Sequence, residues 1–205
     1  VVPMLPERLC NDLCSLKPHV DRLAVTAEMV VSKSGKVSKE RFHPSVIHSD
    51  RRFAYEEVQD YIEGNAPDLK APEEILQSLK HLQQCAKALR QARFKRGALD
   101  LDIPKPKFVL DDDGKLDHFE QEQRFEAHRI VEDCMLAANE AVARFQEKHK
   151  VPTLYRVHEV ADPDRLFKLA AVFDQLGLSV TINKKGEITP FDLQKAIDIL
   201  EKKPA

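Results

Sequence analysis

Three polar side chains share one side of a segment that has the apolar spacing of a long helix. His128, Glu132 and Asn139 fall within about 60° of one another at the 100° per residue of an α-helix. An imidazole, a carboxylate and an amide offer both donors and acceptors to a polar ligand. The alternative explanation for Glu132 is an ordinary surface glutamate, or a helix ion pair with Arg129.

This polar strip lies beside the apolar side of the same helix rather than opposite it. A helix that only has to be soluble has little reason to place such groups at the rim of its buried face. We therefore take the strip as a candidate binding surface. The residues expected to face the core are Ile130, Val131, Cys134, Ala138, Ala141, Val142 and Phe145.

Two further polar candidates alternate along a predicted strand, Leu154–His158. Arg156 and His158 point to one face of that strand, and Tyr155 and Val157 point to the other. Arg156 and His158 are placed either to approach a phosphate or a sugar, or to form buried hydrogen bonds.

An acidic cluster lies at the turn of a predicted hairpin, with Asp111, Asp112 and Asp113 in the turn and Asp117 shortly after it. Asp113 and Gly114 form the Asp-Gly pair that is typical of tight hairpins. Turn chemistry explains these carboxylates without a cation, so we predict no metal site here.

Two further sets of charged residues each have two possible explanations. The basic run at 90, 93, 95 and 96 is suited to a phosphate backbone, but the C-terminus of a helix favours cations in any case. Asp100 and Asp102 share one face of a predicted strand, where they either are solvated or help to position a polar ligand or a metal-bound water.

Composition places the chain among globular proteins. Its 205 residues are 42% hydrophobic and 32% charged, and the formal net charge is −2. Such a chain can bury a core, but it has no long-range attraction to phosphates. Four cysteines without a secretory signal indicate reduced thiols, and no apolar run is long enough for a bilayer. We expect a cytoplasmic protein without a membrane partner.

The order of helices and strands predicted to position these residues indicates a mixed α+β fold, with a largely antiparallel sheet and packed helices. Leucines spaced three and four residues apart in 5–16 predict a short helix with one stripe turned inward. The predicted hairpins are 22–47 and 107–119, further extended pieces are 98–103, 154–158 and 178–182, and the helices are 53–62, 72–94, 125–148, 163–176 and 190–200.

Five blocks of sequence, taken in order, resemble the RNB catalytic domain of the ribonuclease II and ribonuclease R family. The similarity covers residues 1 to about 160 and is greatest to the bacterial ribonuclease R branch, while 161–205 matches in helical character. On this basis residues 1–205 form one partial RNB-like domain, the middle portion of the complete one. The blocks are VPMLPERLCNDLCSL (2–16), DRLA (21–24), GALDLD (97–102), HRIVEDCMLAAN (128–139) and YRVHE (155–159).

The resemblance implies a processive hydrolase that digests single-stranded RNA from its 3′ end and releases nucleoside monophosphates. In the family a cluster of aspartates holds Mg²⁺, and that cluster precedes the segment that this chain resembles. The resemblance thus implies no catalytic residue and no metal ligand within 1–205. We expect this chain alone to be inactive, its partners to be RNA and the remainder of the same domain, and DNA not to be a partner.

The resemblance also assigns roles to single residues. Glu132 matches a family glutamate that contacts the sugar of a 3′-terminal nucleotide, where it can accept from the 2′-hydroxyl that distinguishes RNA from DNA. Leu101 stands where one branch of the family has a phenylalanine that sandwiches the final base. The change to leucine gives up stacking of about 1–3 kcal/mol per base, and Leu101 is otherwise explained as strand core.

Two hypotheses follow from the sequence. The first is that the chain lines the RNA channel of a 3′–5′ exoribonuclease, with His128, Asn139, Arg156 and His158 joining Glu132 and Leu101 in contact with RNA. The second is a non-catalytic module that keeps the RNB scaffold and binds RNA or another protein. A metal-binding, aspartate-rich segment in the same polypeptide distinguishes the first hypothesis from the second.

Overall fold

The computed structural model describes residues 3–65, 69–99, 106–111, 113–121, 123–157, 162–178 and 188–200. The predicted α+β class is confirmed, and both predicted hairpins form. A five-residue π-helix, Leu9–Leu13, comes first. The remaining elements are β1 (Asp21–Val31), β2 (Val37–His48), α1 (Tyr55–Glu63), α2 (Glu73–Lys95), β3 (Pro106–Leu110), β4 (Leu116–Gln121), α3 (Glu126–Lys148), α4 (Pro163–Gln175) and α5 (Pro190–Leu200).

The chain forms two compact units. The first comprises Val1–Leu89 and Arg124–Val151, and the second comprises Arg90–Gln123 and Pro152–Ala205. That residues 1–205 act as one partial domain stays a prediction. Within the described ranges, no helix has both the length and the apolar character that crossing a bilayer requires.

The hairpin β1–β2 gives the first unit its sheet. Its strands pair antiparallel, with Asp21 opposite His48 at the open end. At the turn, Gly35 has φ 77°, a left-handed conformation that glycine adopts without strain from a Cβ. Its N–H donates to the carbonyl of Ser32 at 2.9 Å and so closes the turn.

Helix α3 carries most of the buried residues of the first unit. Three small side chains, Ala127, Ala137 and Ala141, are buried along one side together with Ile130 and Asp133. This spacing of three and four residues gives a continuous buried stripe. Because alanines protrude little, the neighbouring elements can approach the helix closely along this line.

The predicted core stripe of α3 is therefore right in part. Ile130 and Ala141 are buried, and Cys134 and Ala138 are half-buried, but Val131, Val142 and Phe145 are exposed. The most buried line of the helix is made mainly of alanines, and the larger side chains lie at its rim.

The far end of α3 is joined to β2 by two contacts. Phe145 packs edge-on against Phe42, with ring centroids 5.1 Å apart. Beside it, Arg144 Nη2 lies 2.6 Å from Glu40 Oε1. The C-terminal part of α3 is thus fixed against the hairpin, away from the polar residues near its start.

The second unit has a small core of its own. Phe173, Leu178 and Ala196 are buried together between α4 and α5. The side chains of Asp162 and Thr189 each accept a backbone N–H from the first turn of the following helix, at 3.0 and 3.2 Å. Both predicted helix starts are confirmed by these caps.

Two sequence predictions about local structure are wrong. The leucine stripe of 5–16 was expected to be buried, but Leu5, Leu9, Leu13 and Leu16 are exposed. The predicted short helix itself does form, over residues 7–13, with Leu9–Leu13 in the π conformation. Such a short amphipathic helix buries its apolar side only where a neighbouring element packs on it.

The second error concerns the predicted strand Leu154–His158. Residues 154–157 have no regular structure, and His158 lies outside the described residues. Alternating side chains do not make a strand unless a neighbouring strand accepts its hydrogen bonds. Of the piece predicted at 98–103, Ala98 and Leu99 are not in a strand, and the rest lies outside the described ranges, as do residues 179–182.

Candidate nucleic-acid interface

The start of α3 is organised by side chains as well as by backbone. The backbone N–H of Phe125 donates to His128 Nδ1 at 3.3 Å, and the N–H of Ala127 donates to Gln59 Oε1 on α1 at 3.2 Å. Both donors belong to the group that a helix leaves without intrahelical partners. Helix α1 therefore fixes the position at which α3 begins.

His128 contacts two aromatic rings. Its ring stacks on Tyr55 of α1, with centroids 3.9 Å apart and 19° between the planes, and Phe125 lies on it at 5.5 Å. Because Nδ1 accepts the backbone hydrogen bond, a neutral ring carries its proton on Nε2. His128 can thus present one N–H donor in a fixed orientation.

Glu132 lies one helical turn beyond His128 on the same side of α3. Its Oε2 is 2.9 Å from Arg124 Nη2, and the two side chains are 42% and 34% exposed. The ion pair is therefore at the surface, where it contributes little to folding stability. It fixes a carboxylate that is reachable from solvent.

Asn139 continues the polar strip but stands apart from the other two residues. It is exposed and lies about 10 Å further along the helix axis than Glu132, at 1.5 Å per residue. His128 and Glu132 are about 6 Å apart on the same scale, which suits two contacts to one nucleotide. The structure thus brings two of the three predicted residues together and leaves the third about two helical turns further along.

An apolar groove of about 620 Å³ adjoins this end of α3, between α1 and α2. This groove was not predicted from the sequence. The helical spacing of apolar residues in α1 is the pattern that could have indicated it. Among the residues lining it are Tyr55, Tyr61, Leu79, Leu82 and Val131. Tyr55 both lines the groove and stacks on His128, so the groove and the polar strip share a wall.

Of the other three predicted site residues, two lie outside the described residues and one belongs to the second unit. Leu101 and His158 are outside the described residues, as are Asp100 and Asp102. Arg156 belongs to the second unit and is exposed in an irregular segment. Their contact with RNA stays a prediction.

The acidic turn is built as hairpin chemistry predicts. Asp111 Oδ1 accepts the backbone N–H groups of Asp113 at 3.0 Å and Lys115 at 2.8 Å. Across the described part of the chain, no three His, Cys, Asp or Glu side chains are grouped so as to hold a metal ion.

The two thiols near α3 are shielded. Burial raises the pKa of Cys134, and the nearby Cys85 and Asp133 raise it further. Burial also raises the pKa of Cys85. Since the thiolate is the reactive form, both side chains are poor nucleophiles at neutral pH.

The fold and the site together define an α+β domain with a helix-borne polar surface. The chain belongs to the RNB domain family, whose model matches residues 1–205. The family predicted from the sequence blocks is thereby confirmed.

Curated relatives agree with this assignment. Ribonuclease R of Escherichia coli (strain K12) is 34% identical over 204 residues, which are 100% of this chain and 25% of the relative. Ribonuclease R of Thermotoga maritima is 35% identical over 205 residues, which are 100% of this chain and 28% of the relative. The chain thus spans about a quarter of the length of these relatives.

A solved structure shows the same architecture. RNase R of Mycoplasma genitalium, in complex with ribose methylated single-stranded RNA, matches with a TM-score of 0.92 and 27% identity. The match covers 99% of this chain and 31% of that chain.

Proposed function

We propose that this chain forms part of a processive 3′–5′ exoribonuclease that hydrolyses single-stranded RNA to nucleoside monophosphates, and that α3 lines the path of the 3′ end. The carrying observation is the fixed pair of polar groups at the start of α3, within a chain that matches the RNB domain over its whole length. The relative from Mycoplasma genitalium, solved with ribose methylated single-stranded RNA, supports RNA as the ligand.

The two fixed groups suit the sugar at a 3′ end. The carboxylate of Glu132 can accept a hydrogen bond from the 2′-hydroxyl, which DNA lacks. The Nε2–H of a neutral His128 can donate to a sugar or phosphate oxygen of the same nucleotide. Asn139 is at the distance of a neighbouring nucleotide, and Leu101, Arg156 and His158 complete the proposed set of contacts.

In this proposal the chemistry itself is performed by groups outside residues 1–205. Mg²⁺ would activate water and stabilise charge on the phosphate in the complete enzyme. The part proposed for the residues of this chain is to bind and orient the RNA. The 205-residue chain alone is then inactive, and the complete enzyme acts in the cytoplasm.

The rival proposal is a non-catalytic module that keeps the RNB scaffold. The exposed leucines at positions 5, 9, 13 and 16 favour this module, because an exposed apolar surface is typical of a site that contacts another protein.

The two proposals are distinguished by an RNA digestion assay. The 205-residue chain and the full polypeptide that carries it are each incubated with 5′-labelled single-stranded RNA in the presence of Mg²⁺. Stepwise shortening from the 3′ end by the full polypeptide alone supports the exoribonuclease. RNA that is bound by both but shortened by neither supports the module.

A further inference from the structure

The side chain of Arg124 reaches over the start of α3 to Glu132. Arg124 precedes the first residue of the helix, Glu126, by two positions, yet its Nη2 lies 2.9 Å from an oxygen eight residues later in the chain. At this distance the contact is a charge-assisted hydrogen bond, which is shorter and stronger than a neutral one. Arg124 thus connects the segment before α3 to the second turn of the helix.

Such a contact restricts where the carboxylate can go. A glutamate on a helix surface has three side-chain torsions and loses considerable rotamer freedom when a ligand fixes it. A group that is already fixed before binding avoids that loss, which raises affinity without any new contact. The planar guanidinium adds direction, because its N–H groups leave the plane at set angles.

A carboxylate that pairs with an arginine can still accept further hydrogen bonds. An ionised carboxyl group has about four acceptor sites on its two oxygens, and the contact with Arg124 is made by Oε2. The side chain is 42% exposed, so a hydroxyl group from solvent can approach it.

From this geometry we propose that Arg124 is a positioning residue for RNA recognition: it orients Glu132 to accept the 2′-hydroxyl of the 3′-terminal ribose. The inference rests on the proposed function of Glu132 and adds the residue through which its specificity for ribose is set. Arg124 acts through Glu132 and makes no required contact with RNA.

The test is discrimination between sugars in the full polypeptide that carries this sequence. Two RNA oligonucleotides are compared that differ only in ribose or 2′-deoxyribose at the 3′-terminal nucleotide, and the ratio of their kcat/KM values is measured. Glutamine keeps an acceptor oxygen but lacks the negative charge, and the difference between a charged and a neutral hydrogen bond predicts a fall of about three- to tenfold in that ratio for Glu132→Gln. We expect Arg124→Gln to lower it by about three- to tenfold, and Arg124→Lys to restore part of it.

A double variant shows whether Arg124 acts through Glu132. If it does, adding Arg124→Gln to Glu132→Gln changes the ratio no further. An additional loss in the double variant would mean a separate contact between Arg124 and RNA, which overturns a purely positioning role.

A matched control removes another arginine from the same helix. Arg144 pairs with Glu40 at the far end of α3, and Arg144→Gln should leave the sugar ratio unchanged. Thermal unfolding of both variants, compared with the unchanged protein, accounts for any general loss of folding.

Different results refute the positioning role of Arg124 and the proposed role of Glu132. If Glu132→Gln lowers the ratio and Arg124→Gln does not, the positioning role is refuted and the proposed role of Glu132 stands. If neither variant changes the ratio, the role of Glu132 in the proposed function is refuted, and the inference with it.

Discussion

Replacing Glu132 by alanine should impair handling of the RNA 3′ end far more than folding. The carboxylate is 42% exposed, and its ion pair with Arg124 is at the surface. Exposed ion pairs contribute about 0–1 kcal/mol, and alanine has a better helix propensity than glutamate, which offsets part of the loss. The expected change in the free energy of unfolding is therefore below about 1 kcal/mol.

The functional effect should be larger because a ligand hydrogen bond to a charged group is lost. Such bonds contribute about 1.5–3 kcal/mol, which corresponds to a fall of about tenfold to hundredfold in kcat/KM. The assay is release of monophosphates from single-stranded RNA by the full polypeptide, with thermal unfolding measured on the same preparations.

Phe173→Ala is the opposite control. Phe173 is buried in the core between α4 and α5 and is not among the residues proposed to contact RNA. Its truncation should lower the free energy of unfolding by about 3–5 kcal/mol.

The role assigned to Glu132 would be refuted if Glu132→Ala left the turnover of single-stranded RNA unchanged.

Three further predictions concern other parts of the chain. Tyr55→Ala should weaken binding of single-stranded RNA severalfold and destabilise the first unit by about 0.5–1.5 kcal/mol, because the ring stacked on His128 is lost; both are measured on one variant. Cys134 should be alkylated far more slowly in the folded chain than in the urea-unfolded chain at pH 8, because burial raises its pKa and lowers the thiolate fraction, as mass spectrometry would show. The ring of His118 should titrate above its ordinary pKa, since Asp117 and then Glu120 accept hydrogen bonds from it. Its contribution to folding is then fully present below the unfolded-state pKa and is lost as the pH rises through the folded-state value, which an NMR titration and unfolding curves would follow.

The elements that depend on local pattern were predictable from the sequence. The two hairpins have alternating apolar residues and turn glycines, and α3 has a long helical repeat, so each is specified within its own segment. The leucine stripe near the N-terminus and the strand at 154–157 failed because burial and strand pairing each require a neighbour. No local pattern supplies that neighbour.

The candidate site could likewise be predicted only in part from the sequence. Helical periodicity placed His128 and Glu132 on one side of α3, and the structure confirms that arrangement. Periodicity could not predict that Tyr55 stacks on His128 or that Gln59 accepts the N–H of Ala127, since these pairs are brought together only by the packing of α1 on α3. The contact from Arg124 arises where the chain enters the helix, and helical spacing does not describe that point.

The most direct test of the account is to ask which residues the 3′-terminal nucleotide touches. Single-stranded RNA with 4-thiouridine at its 3′ end would be bound to the full polypeptide in EDTA, irradiated and mapped by tryptic mass spectrometry. The account predicts a cross-link in the peptide 130–144, which contains Glu132, and a weaker one when the thiouridine is internal. Cross-links that lie only outside α3, or that do not depend on the position of the thiouridine, would contradict the claim that α3 receives the 3′ end.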